Sequence, residues 1–294
     1  MKSNNLLEAC IILIQNPKLF LRYVNYKIKR KSKKWKNAPT KKFRKIIGGI
    51  KINYDFKNVD YGEMYLKQIY FDEYEMPVVE MIKRYLKPGD TFIDVGANIG
   101  YITAVAANEV GENGEVHTFE PVPIYFHYLE KIAIFNKKYK IFTNKVALGN
   151  KKQIAKMQIT LPPHTGGSSL ILNNSSAKIT KKIIKVPVVR LDDYIKNNSL
   201  SKISLIKIDV EGFEFQVLQG LENYLNSKNK KPVIIMEFTQ NVYGSSIVLR
   251  NFENFITKHG YTARSIYNYK KHINIRRIKR TGDILLVPNN KLII

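Results

Sequence analysis

The sequence predicts an α/β fold with a mostly parallel sheet, and the order and composition of its apolar segments carry that prediction. From residue 89, strand-like and helix-like segments alternate along the chain, an order that gives a parallel sheet covered by helices on both faces. The strand-like segments are short apolar runs without polar alternation, as expected of strands buried on both sides. Two final segments, 261–267 and 283–288, have no helix between them and are predicted to pair antiparallel.

The individual elements follow from this pattern. The predicted strands of the sheet lie at 90–96, 115–121, within 139–148, 204–212 and 231–238. The accompanying helices lie at 99–110, 122–136, 213–225 and around 246–259. Two extended segments around the loop "PPHTGGSSLILNNSS" interrupt the alternation between residues 154 and 191 and predict a small β insertion. Before the first strand, we expect a hairpin or edge strand at 45–56 and a helix at 73–86.

The positive charge of the chain is concentrated at its two ends. The formal net charge is +25, residues 1–60 hold 16 Lys and Arg against three acids, and residues 258–280 hold eight Lys and Arg and no acid. Such basic blocks can bind nucleic acid, anionic lipid or an anionic substrate, or can simply solvate a surface. The length of 294 residues fits one large domain or a domain with appendages.

The N-terminal segment and the cysteine count bear on location. Residues 6–14 are apolar but too few to span a bilayer, and no small-residue cleavage site follows them. With the basic run 27–37, this segment either lies on an anionic membrane surface or forms a helix packed on the domain with a solvated basic tail, which we favour. The lone Cys10 excludes a disulfide within the chain and suits a reducing compartment. We therefore expect a cytoplasmic protein, with peripheral membrane contact as an option.

A glycine-containing turn follows the first predicted strand. Asp94, Gly96, Asn98 and Gly100 occupy it, in a spacing that matches neither the dinucleotide fingerprint nor the phosphate-binding P-loop. Glu120 ends the second strand, where a carboxylate can accept hydrogen bonds from ribose hydroxyls. Asp94 can face a cationic group, although a helix cap is its ordinary alternative. Together these features indicate a nucleoside that carries a positive group and no phosphate, such as S-adenosylmethionine.

Several motifs resemble the FkbM family of S-adenosylmethionine-dependent methyltransferases. They are "FIDVGANIGYIT", "FEPVP", "VALG", "GGSSL", "VVRLDDYI", "IKIDVEGFEFQVLQG" and "IIMEF", in the family's order. The resemblance implies a Rossmann-like class I methyltransferase fold, with a seven-strand sheet whose last strand is antiparallel. It also implies methyl transfer, usually to a hydroxyl of a sugar or other small metabolite. The residues implied to bind the cofactor are Asp94, Gly96, Asn98, Gly100 and Glu120. We expect a basic extension over residues 1–60, then a methyltransferase domain over 61–294 with its insertion at about 150–200.

The predicted catalytic residues follow the fourth strand of the sheet. Because a hydroxyl acceptor is a poor nucleophile, a base should assist the transfer. Asp209 and Glu211 stand where that strand opens into the cofactor cleft, so we expect one of them to act as the base or to orient the acceptor. Capping of the next helix is their alternative role. Glu237 and His164 are further candidates for the base, residues 166–170 are expected to close over the acceptor, and no metal site is assigned.

Two other functions remain open at this stage. The charge of +25 invites phosphate contacts, so an RNA methyltransferase that uses its basic flanks is the main alternative. The sequence contains no recognised RNA-binding module. A non-catalytic binding protein on the same fold is the other option, and the intact cofactor and Asp209 motifs argue against it. The acceptor itself is expected to be a small molecule or a glycan.

Overall fold

A computed structural model of the chain describes residues 16–39, 42–55, 63–72, 74–160, 168–170, 181–227, 231–238, 246–278 and 281–290. In these residues the strands are β1 (Lys42–Ile47), β2 (Ile50–Asp55), β3 (Thr91–Val95), β4 (Glu115–Phe119), β5 (Lys140–Asn144), β6 (Ala147–Leu148), β7 (Gln153–Thr160), β8 (Lys181–Val189), β9 (Leu205–Ile208), β10 (Val233–Phe238), β11 (Tyr261–Ser265) and β12 (Gly282–Pro288). The helices are α1 (Pro17–Lys29), α2 (Lys33–Lys36), α3 (Glu63–Tyr70), α4 (Met76–Tyr85), α5 (Tyr101–Val110), α6 (Pro123–Phe135), α7 (Leu191–Asn197), α8 (Glu214–Gln219), α9 (Glu222–Asn226) and α10 (Ser246–Lys258).

Seven strands form the main sheet, in the order β11-β12-β10-β9-β3-β4-β5. The central strands β10, β9, β3, β4 and β5 run parallel, whereas β12 lies antiparallel to both β10 and β11. The predicted seven-strand α/β sheet with an antiparallel last strand is therefore confirmed. The chain builds β3, β4 and β5 towards one edge and then places β9 on the other side of β3. In open α/β sheets, ligands bind beyond the carboxyl ends of the strands at such a reversal.

The two faces of this sheet are covered by different helices. Successive strand residues point to opposite faces, so neighbours in one strand belong to separate core clusters. Phe92 and Leu205 join residues of α4, α5 and α6, whereas Ile93 and Ile206 join residues of α7 to α10. Burial on both sides explains why these strands are uniformly apolar in sequence.

The predicted β insertion is also confirmed. The strands β6, β8 and β7 form a separate three-stranded sheet, in which β7 and β8 pair antiparallel over their whole length. Ser169 bridges to Gln158 of β7, so the described part of the loop between these strands extends the small sheet.

The N-terminal hairpin of β1 and β2 belongs to the core. Phe43 and Tyr54 are buried in the same cluster as the first face of the main sheet. The Tyr54 hydroxyl donates a hydrogen bond to the main-chain oxygen of Ile99, at 3.0 Å. The predicted hairpin is thus confirmed, over residues 42–55. The domain boundary at residue 60 stays a prediction, and this packing favours a domain that begins before residue 42.

The helices α1 and α2 pack on the domain through apolar and aromatic side chains. Leu19 and Tyr23 of α1 form a small cluster with Met76 of α4. Trp35 of α2 stacks on Phe71, with ring centroids 4.9 Å apart. A packed helix was the favoured prediction for this end of the chain, although the apolar segment 6–14 itself lies outside the described residues. Among the described helices, we find none with the length and apolar character needed to cross a bilayer.

The predicted helix 213–225 is divided into α8 and α9. The carboxylate of Asp192, at the start of α7, accepts the main-chain N–H groups of Asn223 and Tyr224 at 3.0 and 2.9 Å. It therefore caps α9 as a separate helix, because the first N–H groups of a helix need external acceptors. The acceptor comes from a helix that the hydrophobic pattern did not predict, so the break was not visible in the sequence.

We expect Phe43→Ala to lower the free energy of unfolding by about 3–5 kcal/mol. Phe43 is 4% exposed and its ring lies 5.3 Å from that of Tyr54. Ile46→Ala is the matched control on the same strand, because Ile46 is 66% exposed and its loss should cost no more than about 0.5 kcal/mol. Urea denaturation of both variants measures the difference. Equal costs would contradict the place of the hairpin in the core.

Candidate active site

A cavity of about 410 Å³ opens at the carboxyl ends of the central strands. Four carboxylates from four strand ends line it: Asp94 of β3, Glu120 after β4, Asp209 after β9 and Glu237 of β10. These ends meet at the reversal of strand order, which is where an α/β sheet offers a ligand site. The sequence-predicted residues from four separate motifs are therefore brought together in one cavity.

The turn after β3 depends on left-handed main-chain conformations. The φ angles of Gly96, Asn98 and Gly100 are 79°, 52° and 84°. A Cβ atom at Gly96 would collide with the main-chain oxygen of Asp209. Glycine is required there because the turn after β3 and the turn after β9 touch through their main chains.

Glu120 fixes this turn from the neighbouring strand. Its Oε2 accepts the main-chain N–H of Asn98 at 2.9 Å, and its Oε1 accepts that of Val122 at 2.8 Å. Burial raises the pKa of Glu120 to about 7, although these two hydrogen bonds act in the opposite direction. A carboxylate oxygen can accept more than one hydrogen bond, so Glu120 retains capacity for ligand hydroxyls. Glu120 is not a solvated surface charge, since it is only 5% exposed.

Asp94 lies wholly inside the protein at the base of the cavity. Its Oδ2 accepts a hydrogen bond from the Thr103 hydroxyl at 2.7 Å. Its Oδ1 is buried and has no hydrogen-bond partner among the described residues. Burial raises the pKa of Asp94, and the nearby Lys207 ammonium opposes that rise. Asp94 therefore bonds a side chain inside α5 rather than capping the helix, and its buried carboxylate places a negative charge beneath the cavity.

Lys207 was not predicted from the sequence, yet it is central to the site. Its Nζ lies 2.8 Å from Oδ2 of Asp209 and 3.9 Å from Oε2 of Glu75, and Lys207 pairs with Asp94 in the register of β9 and β3. Burial lowers the pKa of Lys207, but the carboxylates of Asp209, Glu75 and Asp94 outweigh it and raise the pKa well above its ordinary value. A lysine inside an otherwise apolar buried strand was the signal that could have identified it.

Asp209, Glu211 and Glu214 occupy three different environments. Asp209 lines the cavity and is held by Lys207. Glu211 also lines the cavity, is exposed, and has a left-handed φ of 56°. Glu214 is fully buried, and its Oε1 accepts the N–H groups of Val210 and Gly212. Glu214 therefore holds the turn that precedes α8, and the side chains of Asp209 and Glu211 remain at the cavity.

Glu237 stands beside Asp209 on the next strand. The register pairs Met236 with Ile208, so Glu237 and Asp209 are the next residues of two adjacent parallel strands. Burial raises the pKa of Glu237 to about 8, and the neighbouring carboxylates, led by Asp209, add to that rise. Glu237 and Glu120 are thus two carboxyl groups of the cavity that ionise near neutrality, where a base works best, and of the two only Glu237 lies beside Asp209.

The insertion forms part of the cavity wall. Met157 of β7, Ser168 and Leu170 line the cavity opposite the strand ends. The Ser169 hydroxyl donates a hydrogen bond to the main-chain oxygen of Glu211, at 2.7 Å, and so ties the insertion to the turn after β9. Residues 161–167, with the predicted candidate His164, lie outside the described residues.

We expect Gly96→Ala to destabilise the protein more than Gly89→Ala. Both glycines have left-handed φ angles, 79° and 85°, so each change carries a similar main-chain strain of about 1–2 kcal/mol. Only at Gly96 does the new Cβ meet another main chain, since nothing lies within 4 Å of the position at Gly89. Chemical denaturation of the pair isolates the collision. Identical costs would argue against the close contact with Asp209.

The sequence of the chain matches a known protein family. The methyltransferase FkbM domain model matches residues 94–263, more than half of the chain. The 31-O-demethyl-FK506 methyltransferase FkbM of Streptomyces tacrolimicus is 29% identical over 164 residues, which cover 47% of this chain and 62% of that protein. The hexuronic acid methyltransferase AglP of Haloferax volcanii is 24% identical over 155 residues, which cover 53% and 59%.

The crystal structure of methyltransferase FkbM from Methylobacillus flagellatus superposes with a TM-score of 0.41 at 16% identity, covering 76% of this chain and 54% of that chain. The matches to the two curated relatives span less than two thirds of those proteins. The motifs from Asp94 onward and the match over 94–263 lead to one conclusion: the chain belongs to the FkbM family of methyltransferases.

Proposed function

We propose that the protein transfers the methyl group of S-adenosylmethionine to a hydroxyl of a sugar or another small metabolite. The observation that supports this most strongly is the division of one cavity into two sets of carboxylates. Asp94 and Glu120 lie beside the glycine turn, whereas Asp209 and Glu237 lie at the ends of β9 and β10. The first set suits the cofactor, and the second suits a hydroxyl acceptor that must lose a proton.

The cofactor set fits S-adenosylmethionine in its charges and hydrogen bonds. The Glu120 carboxylate would accept hydrogen bonds from the two ribose hydroxyls while it holds the turn through Asn98 and Val122. The negative charge of Asp94, which is buried beneath the glycine turn, would favour the positively charged group of the cofactor. When bound, S-adenosylmethionine supplies an electrophilic methyl group on a sulfonium sulfur. No metal is needed for this role of the two carboxylates.

The acceptor set positions the hydroxyl and removes its proton. Asp209, fixed by Lys207 at 2.8 Å, would hold a second polar group of the acceptor and so position the reacting hydroxyl. Glu237 would accept the hydrogen bond of the reacting hydroxyl and take its proton as the oxygen receives the methyl group, with S-adenosylhomocysteine as the leaving group. Glu211 contacts the acceptor from the exposed rim. Alignment of the reacting atoms supplies a large part of the acceleration in such a displacement.

The names of two relatives support the choice of acceptor. One is a 31-O-demethyl-FK506 methyltransferase and the other a hexuronic acid methyltransferase. The first name specifies an oxygen and the second a sugar acid, so a hydroxyl on a sugar or a small metabolite is the acceptor class they favour. Transfer of labelled methyl from S-adenosylmethionine to a panel of hexoses, hexuronic acids and RNA tests the class. Labelling of RNA alone would overturn the proposal in favour of an RNA methyltransferase.

Glu120→Ala should weaken the binding of S-adenosylhomocysteine by about tenfold or more, because hydrogen bonds to a charged acceptor contribute about 1.5–3 kcal/mol each. Isothermal titration calorimetry measures the affinity, and Glu130→Ala on the exposed side of α6 is the control. The affinity of Glu120→Gln, which keeps one oxygen acceptor, should lie between those of the parent protein and Glu120→Ala. Unchanged affinity in Glu120→Ala, or tighter binding of NAD than of S-adenosylhomocysteine, would remove the cofactor assignment.

Turnover should rise with pH and level off above about pH 8, where Glu237 becomes ionised. Glu237→Gln should abolish this inflection and lower kcat by about 10²–10⁴. Asp209→Asn should also lower kcat but keep an inflection, moved to lower pH, because Glu237 remains while a carboxylate that raises its pKa is removed. Glu112→Gln, an exposed residue paired with Lys138, is the control. An inflection that survives in Glu237→Gln would transfer the role of base to another group.

The same pKa predicts a dependence of stability on pH. The pKa of Glu237 is raised by burial from 4.5 to about 8, so the unfolded chain releases this proton at lower pH than the folded protein does. Its contribution to stability is therefore present below about pH 4.5 and is lost as the pH rises towards 8. Urea denaturation across this range should show a flatter decline in Glu237→Gln than in the parent. Parallel curves would show that Glu237 ionises normally.

A further inference from the structure

The outer face of α1 combines exposed aliphatic side chains with lysines. Leu21 and Ile28 are 63% and 64% exposed, and their separation of seven residues places them on the same side of the helix, two turns apart. Lys18 and Lys29 are exposed on that side as well. Large aliphatic side chains are not stabilised by exposure to water. Exposed aliphatic side chains flanked by lysines are typical of an amphipathic helix that lies on a membrane surface.

The charge around this face has a single sign. Residues 9–54 hold 14 Lys and Arg and no Asp or Glu. In α2, which follows α1 directly, Lys33, Lys34 and Lys36 are exposed while Trp35 is buried. The neighbouring acid Glu80 is paired with Arg22 at 2.9 Å. The surface formed by the exposed residues of α1 and α2, here called the cationic helix face, is therefore complementary to an anionic surface.

The cationic helix face is held rigidly against the domain. The Tyr26 hydroxyl accepts a hydrogen bond from Gln68 of α3 at 2.7 Å, and Gln68 itself lines the cavity. The ring of Trp35 stacks on that of Phe71. The buried side of α1 thus packs on the domain, and the side with Leu21 and Ile28 faces outward. Through Gln68 of α3, α1 is also connected to the wall of the cavity.

The second basic segment of the chain reaches the same region. Tyr267 packs against the cluster of α1 and α4 that contains Leu19. The guanidinium of Arg84 in α4 lies 3.6 Å from the centre of the Tyr269 ring. Two tyrosines of the segment 258–280 therefore adjoin α4, although more than 200 residues separate this segment from α1. Arg276 of the same segment pairs instead with Glu253 of α10.

We propose that the cationic helix face binds the surface of an anionic lipid bilayer. Leu21 and Ile28 enter the boundary between headgroups and acyl chains, and the lysines of α1 and α2 contact the lipid phosphates and carboxylates. Phosphate contacts alone explain binding to RNA through lysines, but they give no role to two exposed aliphatic side chains on the same side of a helix. The aliphatic pair therefore favours a bilayer over a nucleic acid.

Co-sedimentation of the full chain with lipid vesicles tests this proposal. We expect binding to vesicles that contain phosphatidylserine and little binding to pure phosphatidylcholine vesicles. The double variant Leu21→Ser/Ile28→Ser should weaken binding by about tenfold or more, because each buried methylene contributes about 0.8 kcal/mol. Its melting temperature should match the parent's, since both side chains are already exposed.

Two variants with the same change in net charge distinguish binding through the cationic helix face from general electrostatic attraction between the protein and the vesicles. Lys33→Glu/Lys34→Glu and Lys151→Glu/Lys152→Glu change the net charge equally, and all four lysines are exposed. Only the first pair should weaken vesicle binding strongly. Equal losses in both pairs would overturn the proposal, as would unchanged binding in Leu21→Ser/Ile28→Ser. RNA binding provides the alternative outcome. If RNA displaces the protein from vesicles, and if Lys33→Glu/Lys34→Glu loses RNA binding while Leu21→Ser/Ile28→Ser keeps it, the cationic helix face binds nucleic acid instead.

Discussion

The site depends on one buried lysine that holds three carboxylates together. Lys207 lies at the centre of the sheet, 2.8 Å from Asp209 and 3.9 Å from Glu75, with Asp94 beside it in register. Without it, three carboxylates from β3, β9 and the start of α4 would share a low-dielectric space and take up protons. Removing one partner of a buried ion pair costs about 3–5 kcal/mol of stability. A substitution that changes the charge of this site therefore also destabilises the fold around it.

Contacts to main-chain oxygens also join the segments that surround the cavity. At Gly96 the turn after β3 touches the main-chain oxygen of Asp209, and Ser169 of the insertion bonds the oxygen of Glu211. The turn after β3, the turn after β9 and the insertion are therefore in direct contact with one another. The contact between Gly96 and Asp209 gives a physical reason why the two longest motifs occur together in the sequence, because each motif supplies one of the two residues.

The fold was predictable because its strands are apolar and short, and because helices separate them. Asp94, Glu120 and Asp209 were predictable as strand-end carboxylates, since parallel strands bring their carboxyl ends to one edge. Lys207 and the pKa of Glu237 were not, because they depend on which side chains surround them across neighbouring strands. The helices α1 and α2 were not predicted as individual elements. In α2, four residues are too few for an apolar period, and the helix is stabilised by tertiary contacts such as Trp35 on Phe71. In α1, the apolar period of Leu19, Tyr23 and Tyr26 was present in the sequence but lies within a strongly basic segment.

A crystal structure of the protein with S-adenosylhomocysteine tests the central claim most directly, namely that one cavity holds the cofactor on Asp94 and Glu120 and presents it to Asp209 and Glu237. The account predicts both ribose hydroxyls within about 2.7–3.2 Å of the Glu120 carboxylate, with the sulfur facing the ends of β9 and β10. A nucleoside bound outside this cavity, or bound inside it with the sulfur turned away from Asp209 and Glu237, would contradict the account.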